Sequence, residues 1–408
     1  MTDQKAPALA IWALGLTQII GYGTLYYSYS LLAPDAAREL GLPLSLLFAF
    51  LSGALLLSAF LAPSAGTWTD RHGAPVLMAA GSLAATVSLL WTALVPGTAA
   101  FAIGIVAMQV SSCFVLYSSA FIAIVQFGGS YAQRSITHLT LIGGFASTVF
   151  WPLTTELQGY FTWREILLIF AAMHLLICMP LHYLLPRHGS TRKASRVAAT
   201  SHAVARPSKW SPIFVLLLVG FALEGFVLGA VLVQMVPLLT AVGLGTAAVA
   251  VGALFGPAQV ASRLLNMVFG SNLPQTWLAA GATAALASGL AVLLLSAPSL
   301  AGAVAFSVLF GVGSGLMSIV GGTLPLELFG RRSYGTSVGW ITAARQLATA
   351  IAPFAVTAIM DASGVFPTLG FFLAFGLTGV FVFGVVVALA SRKLATVETT
   401  PSAGSEML

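Results

Sequence analysis

GTWTDRHGAP, residues Gly66 to Pro75, is a short polar stretch between two long apolar runs, 45–65 and 75–96. Each run is long enough for a helix, rising 1.5 Å per residue, to cross a ~30 Å hydrocarbon core. So short a connection makes the two helices antiparallel neighbours. Its charges then lie at a membrane surface. Gly66 permits close approach of a second helix, and Asp70 can accept hydrogen bonds from helix N-termini or from arginines.

The same alternation runs along the whole chain. Of its 408 residues 58% are hydrophobic and 7% charged, against about 25% charged in a soluble domain. Twelve apolar spans follow one another, at 10–33, 45–65, 75–96, 99–126, 135–157, 164–185, 213–239, 246–268, 276–296, 300–325, 335–359 and 366–390. With no water in the bilayer core, backbone groups must be satisfied within each segment, so these spans are expected to be helices. A β-barrel would show short alternating segments, and none occur. Only Lys5 precedes the first run, which is too long for the apolar part of a signal peptide, and it is read as a retained helix. Both cysteines, Cys113 and Cys178, fall in apolar spans, and their spacing suggests neither a disulfide nor a metal site. There is no G-x-S-x-G, P-loop or H-E-x-x-H pattern, so no enzyme activity and no cofactor are expected.

One connection is long. PRHGSTRKASRVAATSHAVARPSKWSP, Pro186 to Pro212, divides six spans from six. The expected organisation is an N-terminal six-helix bundle (1–185), a cytoplasmic linker (186–212), a C-terminal six-helix bundle (213–391) and a cytoplasmic tail (392–408). With both termini cytoplasmic, that side holds Lys5, Arg71, Arg134, Arg187, Arg192, Lys193, Arg196, Arg206, Lys209, Arg331, Arg332, Arg392 and Lys393; the other holds Arg38 and Arg164. This is a positive-inside bias; the expected location is a cell membrane, in bacteria the inner membrane. The bias also accounts for the net charge of +6 without nucleic acid, leaving lipid as the expected surface partner. The halves resemble each other: GALLLSAFLAPSAG from Gly53 and GALFGPAQVASRLL from Gly252 begin alike, and Trp151–Pro152 and Ala352–Pro353 sit at nearly the same offset. Such internal similarity suits a two-bundle transporter.

The stretch from Gly66 also resembles the G-x-x-x-D-R-x-G-R loop between helices two and three of the major facilitator superfamily. Gly66, Asp70, Arg71 and Gly73 match, while Ala74 replaces the final base. The corresponding stretch of the second half, NMVFGSNLP, has lost its acid and base. The resemblance covers the whole chain. It implies an all-α membrane protein of twelve transmembrane helices in two pseudo-symmetric bundles, by default a monomer. It also makes Asp70, Arg71, Arg134 and Arg331 gate charges. Simple anchoring at the membrane surface would place the arginines equally well. Glu327 stands four residues before Arg331, a spacing that allows a pair on one helix face.

Three charges stand well inside spans: Glu224 in FALEGFVLG, Arg263 in ASRLL and Arg345 in TAARQLATAIAP. Each costs at least ~2.5–3.5 kcal/mol at a helix centre on insertion scales and marks a pathway by default. One acid cannot neutralise two arginines, so one positive charge is left over. A guanidinium in a central cavity suits a carboxylate, whose two oxygens it meets bidentately. An arginine in span eight, with a second cation in span eleven and an aromatic, glycine-containing first span, resembles the monocarboxylate porters and oxalate–formate antiporters of the superfamily. That resemblance implies that Arg263 and Arg345 hold a substrate carboxylate. Gln259 takes the place of an acid found one turn before the arginine in animal monocarboxylate porters, and span one lacks their lysine. If protons are coupled, Glu224 is the one deep acid.

In span one, Gln18, Tyr22, Tyr26 and Tyr29 recur at three- and four-residue steps and share a helical face, with Tyr27 and Ser30 beside it. With Gln109, Ser112 and Tyr117 in span four they could orient a small polar substrate. A surface aromatic belt is the competing reading for Tyr29. His138, His174 and His182 have no ligand-spaced partner and read as interfacial. The sequence therefore points to a secondary transporter of small organic anions, monocarboxylate-like, by alternating access, proton-coupled or by anion exchange. The substrate contacts would be Arg263, Arg345, Tyr22, Tyr26, Gln18, Tyr117 and Gln259. The alternative is an efflux antiporter for drugs or a toxic neutral compound. Drug–proton antiporters of the superfamily carry a glycine–proline motif in span five, and LIGGFASTVFWPL keeps Gly143, Gly144 and Pro152 without its spacing. A membrane sensor or scaffold would need further soluble domains, and only a short polar segment follows Lys393.

Overall fold

The computed structural model describes residues 8–186, 211–270 and 273–398. The linker between 187 and 210, with Arg187, Arg192, Lys193, Arg196, Arg206 and Lys209, lies outside these residues, as do Lys5, Ser271, Asn272 and the end of the C-terminal tail. Among the described residues there are helices and no strand. Among the described residues, twelve helices are long and apolar enough to span a membrane: α1 Ala8–Leu40, α2 Leu44–His72, α3 Ala74–Leu94, α4 Thr98–Phe127, α5 Gly129–Gln158, α6 Trp163–Tyr183, α7 Pro212–Leu244, α8 Ala247–Phe269, α9 Gln275–Ser296, α10 Leu300–Phe329, α11 Tyr334–Ser363 and α12 Val365–Arg392.

Two expected boundaries move. The stretch opened by Gly66 is not a loop, because α2 stays helical through His72. Its turn is Gly73 alone, at φ 88°, a conformation that glycine reaches without a Cβ clash. α1 continues past residue 33 to Leu40 and ends on Gly41 at φ 64°, a left-handed helix stop. Polarity ends a membrane span without ending a helix, which is why both helices outrun their apolar runs.

Among the interruptions of the first half's helices, two lie in α1 and α4. Within α1, residues Gly23–Tyr27 form a π-turn between α-helical segments. Within α4, Leu116 adopts an extended conformation (φ −85°, ψ −171°) between two helical segments. Irregular backbone at this depth is tolerated where protein buries it, and it commonly marks a binding site.

One core consists only of residues after 213, around Phe221, Phe306, Phe310 and Phe383. A second consists only of residues before 186, around Leu25, Leu89 and Phe170. A third joins the halves, setting Met78, Phe121 and Ile136 against Tyr334 and Val338 of α11. The duplication has a structural counterpart. Gln126 Oε1 accepts from the Ala74 N–H at 2.9 Å at the start of α3, and its Nε2 donates to Thr69 O. In the same relation Glu327 accepts from the Gln275 N–H at 2.9 and 3.1 Å at the start of α9. Both pairs are offset by 201 residues (275 − 74 and 327 − 126).

α2 and α11 form the tightest joint between the halves. Ala62 and Gly66 face Gly335 and Gly339, four small residues at four-residue spacing on two helices. A Cβ on Gly66 would collide with the Gly335 carbonyl, and one on Gly339 with the Ala62 carbonyl. Asp70 sits at this end. Its Oδ1 accepts from the Gly335 N–H at 2.9 Å and its Oδ2 from the Thr336 N–H at 2.9 Å, capping the start of α11. Arg331 donates to the Val125 carbonyl near the end of α4.

Candidate functional site

Glu224, the deep acid of the second half, is buried behind its partner. Gly225 and Gly229 bring α7 against α11, where a Cβ on Gly225 would press on Arg345. Arg345 Nε donates to Glu224 Oε2 at 2.8 Å and Nη2 to Oε1 at 3.1 Å, a bidentate pair. The Glu224 side chain has no exposed surface, while that of Arg345 keeps 36% of its own. The carboxylate is thus fully enclosed, while the arginine keeps part of its side chain accessible.

Arg263 is held differently. Gly311 and Gly315 let α8 lie on α10, with Cβ positions that would meet the Phe255 and Gln259 carbonyls. Arg263 is 4% exposed. Its Nε donates to Ser318 Oγ at 3.0 Å on α10, and its Nη1 crosses to the other half, donating to the Thr140 carbonyl of α5 at 3.1 Å. A Cβ on Gly144 would collide with that Nη1. Arg38–Asp35, Arg164–Glu39 and Arg345–Glu224 are ion pairs. Arg263 has only neutral acceptors, so Glu224, Arg263 and Arg345 together carry one net positive charge.

A row of phenols lies near both guanidiniums. Tyr22 and Tyr117 have ring centres 4.8 Å apart, Tyr22 and Tyr27 6.2 Å, and Tyr26 and Tyr27 5.4 Å; Trp151 closes one end, 6.3 Å from Tyr27. Tyr22 and Tyr26 are within electrostatic reach of Arg345, and Tyr27 and Tyr117 of Arg263. Tyr117 donates to the Thr140 carbonyl at 3.4 Å, the acceptor it shares with Arg263. Tyr26 is 41% exposed in mid-helix, so the row keeps an accessible ring. Aromatic surface with hydroxyl donors and two cations nearby can hold a small anion with an apolar body.

The structure brings Tyr22, Tyr26, Tyr117, Arg263 and Arg345 together and turns the amides of the other two expected contacts to partners within the protein. Gln18 is 0% exposed, and its Nε2 donates to the Val115 carbonyl at 2.8 Å, next to the break in α4. Gln259 turns to α10, donating to Ser314 Oγ at 2.9 Å. Tyr29 leaves the face predicted for it. It is buried and donates to the Leu47 carbonyl at 2.6 Å, while Tyr27 joins the row instead. The π-turn is the reason, since one extra residue in a turn changes the helical phase of everything after it. Glu327 does not pair with Arg331, being occupied by the start of α9. Arg71 and Arg134 are exposed. His174 and His182 are not interfacial but fully buried, bonded to Thr24, Thr17 and Ser82 inside the first half. Gln109, a substrate-facing candidate in the sequence, instead donates to the Leu25 carbonyl of α1, and Thr140 and Ser318, which frame Arg263, carry no signal in the sequence.

The Major Facilitator Superfamily pattern matches residues 14–353. The chain belongs to this superfamily: it is a multi-pass membrane protein with a transporter fold. Among solved structures it is similar to the human organic anion transporter MFSD10 (TETRAN), with 15% identity and a TM-score of 0.74 over 92% of this chain and 100% of that one. It is similar to the proton:xylose symporter XylE bound to 6-bromo-6-deoxy-D-glucose, with 13% identity and a TM-score of 0.71 over 91% and 94%. A third similarity is to FucP in the outward conformation, with 12% identity and a TM-score of 0.66 over 91% and 97%. At these identities the likeness is one of fold. No curated protein sequence matches the chain.

Proposed function

We propose that this protein is a secondary transporter of small organic anions, monocarboxylates foremost, working by alternating access with proton coupling or anion exchange. The observation that supports it is Arg263: a buried guanidinium with neutral acceptors only, near a row of tyrosines that a second guanidinium also adjoins. A buried cation without a counter-charge is costly, and a bound carboxylate would offset that cost. Arg263 and Arg345 would take the carboxylate oxygens, and Tyr22, Tyr26 and Tyr117 would orient the rest of the substrate. One net positive charge suits one carboxylate. Glu224 would be the coupling acid, because protonating it releases Arg345 to the substrate.

Asp70 and Arg331 would act as gate groups, each bonded to the backbone of the other half. Arg71, Arg134 and Glu327 would join them at the same end of the molecule. That end is taken as cytoplasmic, with both termini there and the chain a monomer in the bacterial inner membrane.

The test is uptake and counterflow in proteoliposomes with lactate, pyruvate, formate and oxalate, with and without a pH gradient. Arg263→Gln is expected to abolish carboxylate flux. Glu224→Gln is expected to abolish proton-driven flux and to spare exchange. No carboxylate flux under any gradient would overturn the anion reading and leave efflux of a neutral compound in its place.

A further inference from the structure

The buried histidines of α6 have no part in that reading, yet one of them touches the turn that shapes the tyrosine row. His174 Nε2 and Thr24 Oγ1 are 2.8 Å apart, with the two residues 0% and 2% exposed. Thr24 lies inside the π-turn of α1, and His174 opens a second π-turn, His174–Cys178, in α6. π-turns are rare in helices and concentrate at functional sites. Here two of them meet at one hydrogen bond.

The direction of that bond follows from counting protons. Thr24 has one hydroxyl proton and donates it to the Ile20 carbonyl at 2.8 Å. His174 must then donate from Nε2–H, which leaves its buried Nδ1 a bare acceptor with no partner. His182 repeats the arrangement seven residues earlier on α1. Thr17 donates to the Leu14 carbonyl at 3.0 Å and accepts from His182 Nε2 at 2.9 Å, while Ser82 supplies Nδ1 at 2.8 Å. Of the two, only His174 meets α1 within its irregular turn.

In a regular α-helix, residues five apart stand about 140° apart around the axis. The π-turn closes a bond from Ser28 N–H to Gly23 O at 2.9 Å instead. That brings Tyr27 to 6.2 Å from Tyr22 and turns Tyr29 into the core. The turn is held side by side at successive residues. Phe150 packs where a Cβ on Gly23 would stand, Gln109 Nε2 donates to the Leu25 carbonyl at 2.9 Å, and Ser28 bonds Thr154 at 2.7 Å. Thr24 is held by His174.

We propose that His174 is a positioning residue for the tyrosine row: its Nε2–H on Thr24 holds the π-turn of α1 that sets Tyr26 and Tyr27 against Arg345 and Arg263. The proposal depends on the transport reading only for the claim that these tyrosines meet a substrate. α6 itself contributes none of the rings in the row.

The test is ¹⁹F NMR of the full-length protein in detergent, with its nine tyrosines replaced by 3-fluorotyrosine and resonances assigned from single Tyr→Phe variants. No substrate is present, so the outcome is independent of whether carboxylates are carried; flux through Arg263→Gln decides that separately. His174→Leu and Thr24→Val are each expected to move the Tyr26 and Tyr27 resonances by more than a linewidth and to leave Tyr160 and Tyr334 in place. His174→Gln, whose amide N–H can replace the Nε2–H, is expected to restore the wild-type positions, as is Thr24→Ser. Tyr26 and Tyr27 resonances that stay put in both Leu and Val variants would overturn the proposal. So would a spectrum in which all nine resonances move together and glutamine fails to rescue, which is a general loss of structure.

Discussion

Arg263 and Thr140 belong to opposite halves of the molecule and are joined at 3.1 Å, guanidinium Nη1 to backbone carbonyl. The bond exists because residue 144, one turn on, has no side chain. Gly144→Ala is therefore expected to push the guanidinium off the carbonyl. A hydrogen bond to a charged group contributes ~1.5–3 kcal/mol, so the joined state should lose roughly tenfold to a hundredfold in population. Electron–electron resonance distances between spin labels at His72 and Arg332, both exposed, would report the separation in a background lacking Cys113 and Cys178. Thr140→Val keeps the carbonyl and should leave the distances unchanged.

The Glu224–Arg345 pair predicts an unequal response to losing either member. Removing one partner of a buried pair costs ~3–5 kcal/mol, and solvent screening lowers that figure for a partly open group. Arg345→Gln strands a carboxylate with no exposed surface, whereas Glu224→Gln strands a guanidinium with 36% of its side chain open. Thermal unfolding followed by differential scanning fluorimetry should rank Arg345→Gln below Glu224→Gln. The double variant should recover part of the loss, because neither charge is left alone.

Glu327 and Arg331 offer a test of a pairing that helical spacing suggests and the structure lacks. Glu327 caps α9, and loss of a cap costs ~1 kcal/mol. Glu327→Ala should lower stability by about that amount. Glu327→Gln should be nearly neutral, since Gln126 performs the same role at α3. A double-mutant cycle of Glu327→Ala with Arg331→Ala should show no coupling beyond ~0.5 kcal/mol.

What the sequence made legible follows from what membranes demand of it. Apolar runs and basic loops report helix number and the duplication, because every span must satisfy its own backbone. The surplus of one arginine over the deep acids was likewise countable, as were Tyr22 and Tyr26 on one face. The partners were not. Whether Glu224 meets Arg263 or Arg345 depends on the crossing of α7 with α11 at Gly225 and Gly229, a tertiary fact. Tyr29 and Tyr27 were exchanged because a π-turn leaves no mark in residue spacing; it is held by Gln109, Thr154 and His174, each more than 80 residues away in sequence. A polar side chain in mid-span can serve either a substrate or a broken helix, so the sequence leaves Gln18 open to both, and in the structure its amide serves the break at Leu116.

Asp70 gives the last prediction, one that separates charge from packing at a single joint. Its carboxylate accepts two backbone N–H bonds at the start of α11 and a third from the Thr336 hydroxyl at 3.2 Å. Charge-assisted bonds and the helix dipole both favour a negative group there. Asp70→Asn keeps one acceptor and aims an amide donor at backbone donors. It should cost the joined state ~1–2 kcal/mol, visible as a wider distance distribution between labels at His72 and Arg332. Gly66→Ala acts on packing instead, setting a methyl against the Gly335 carbonyl. It should separate the same labels further than Asp70→Asn does, because backbone cannot yield as a side chain can. Combining the two should add little to Gly66→Ala alone: once α2 and α11 stand apart, Asp70 has already lost the N–H groups of Gly335 and Thr336. Additive effects would instead mean that Asp70 acts on α11 without the helix contact, and the joint would have to be treated as two independent fastenings.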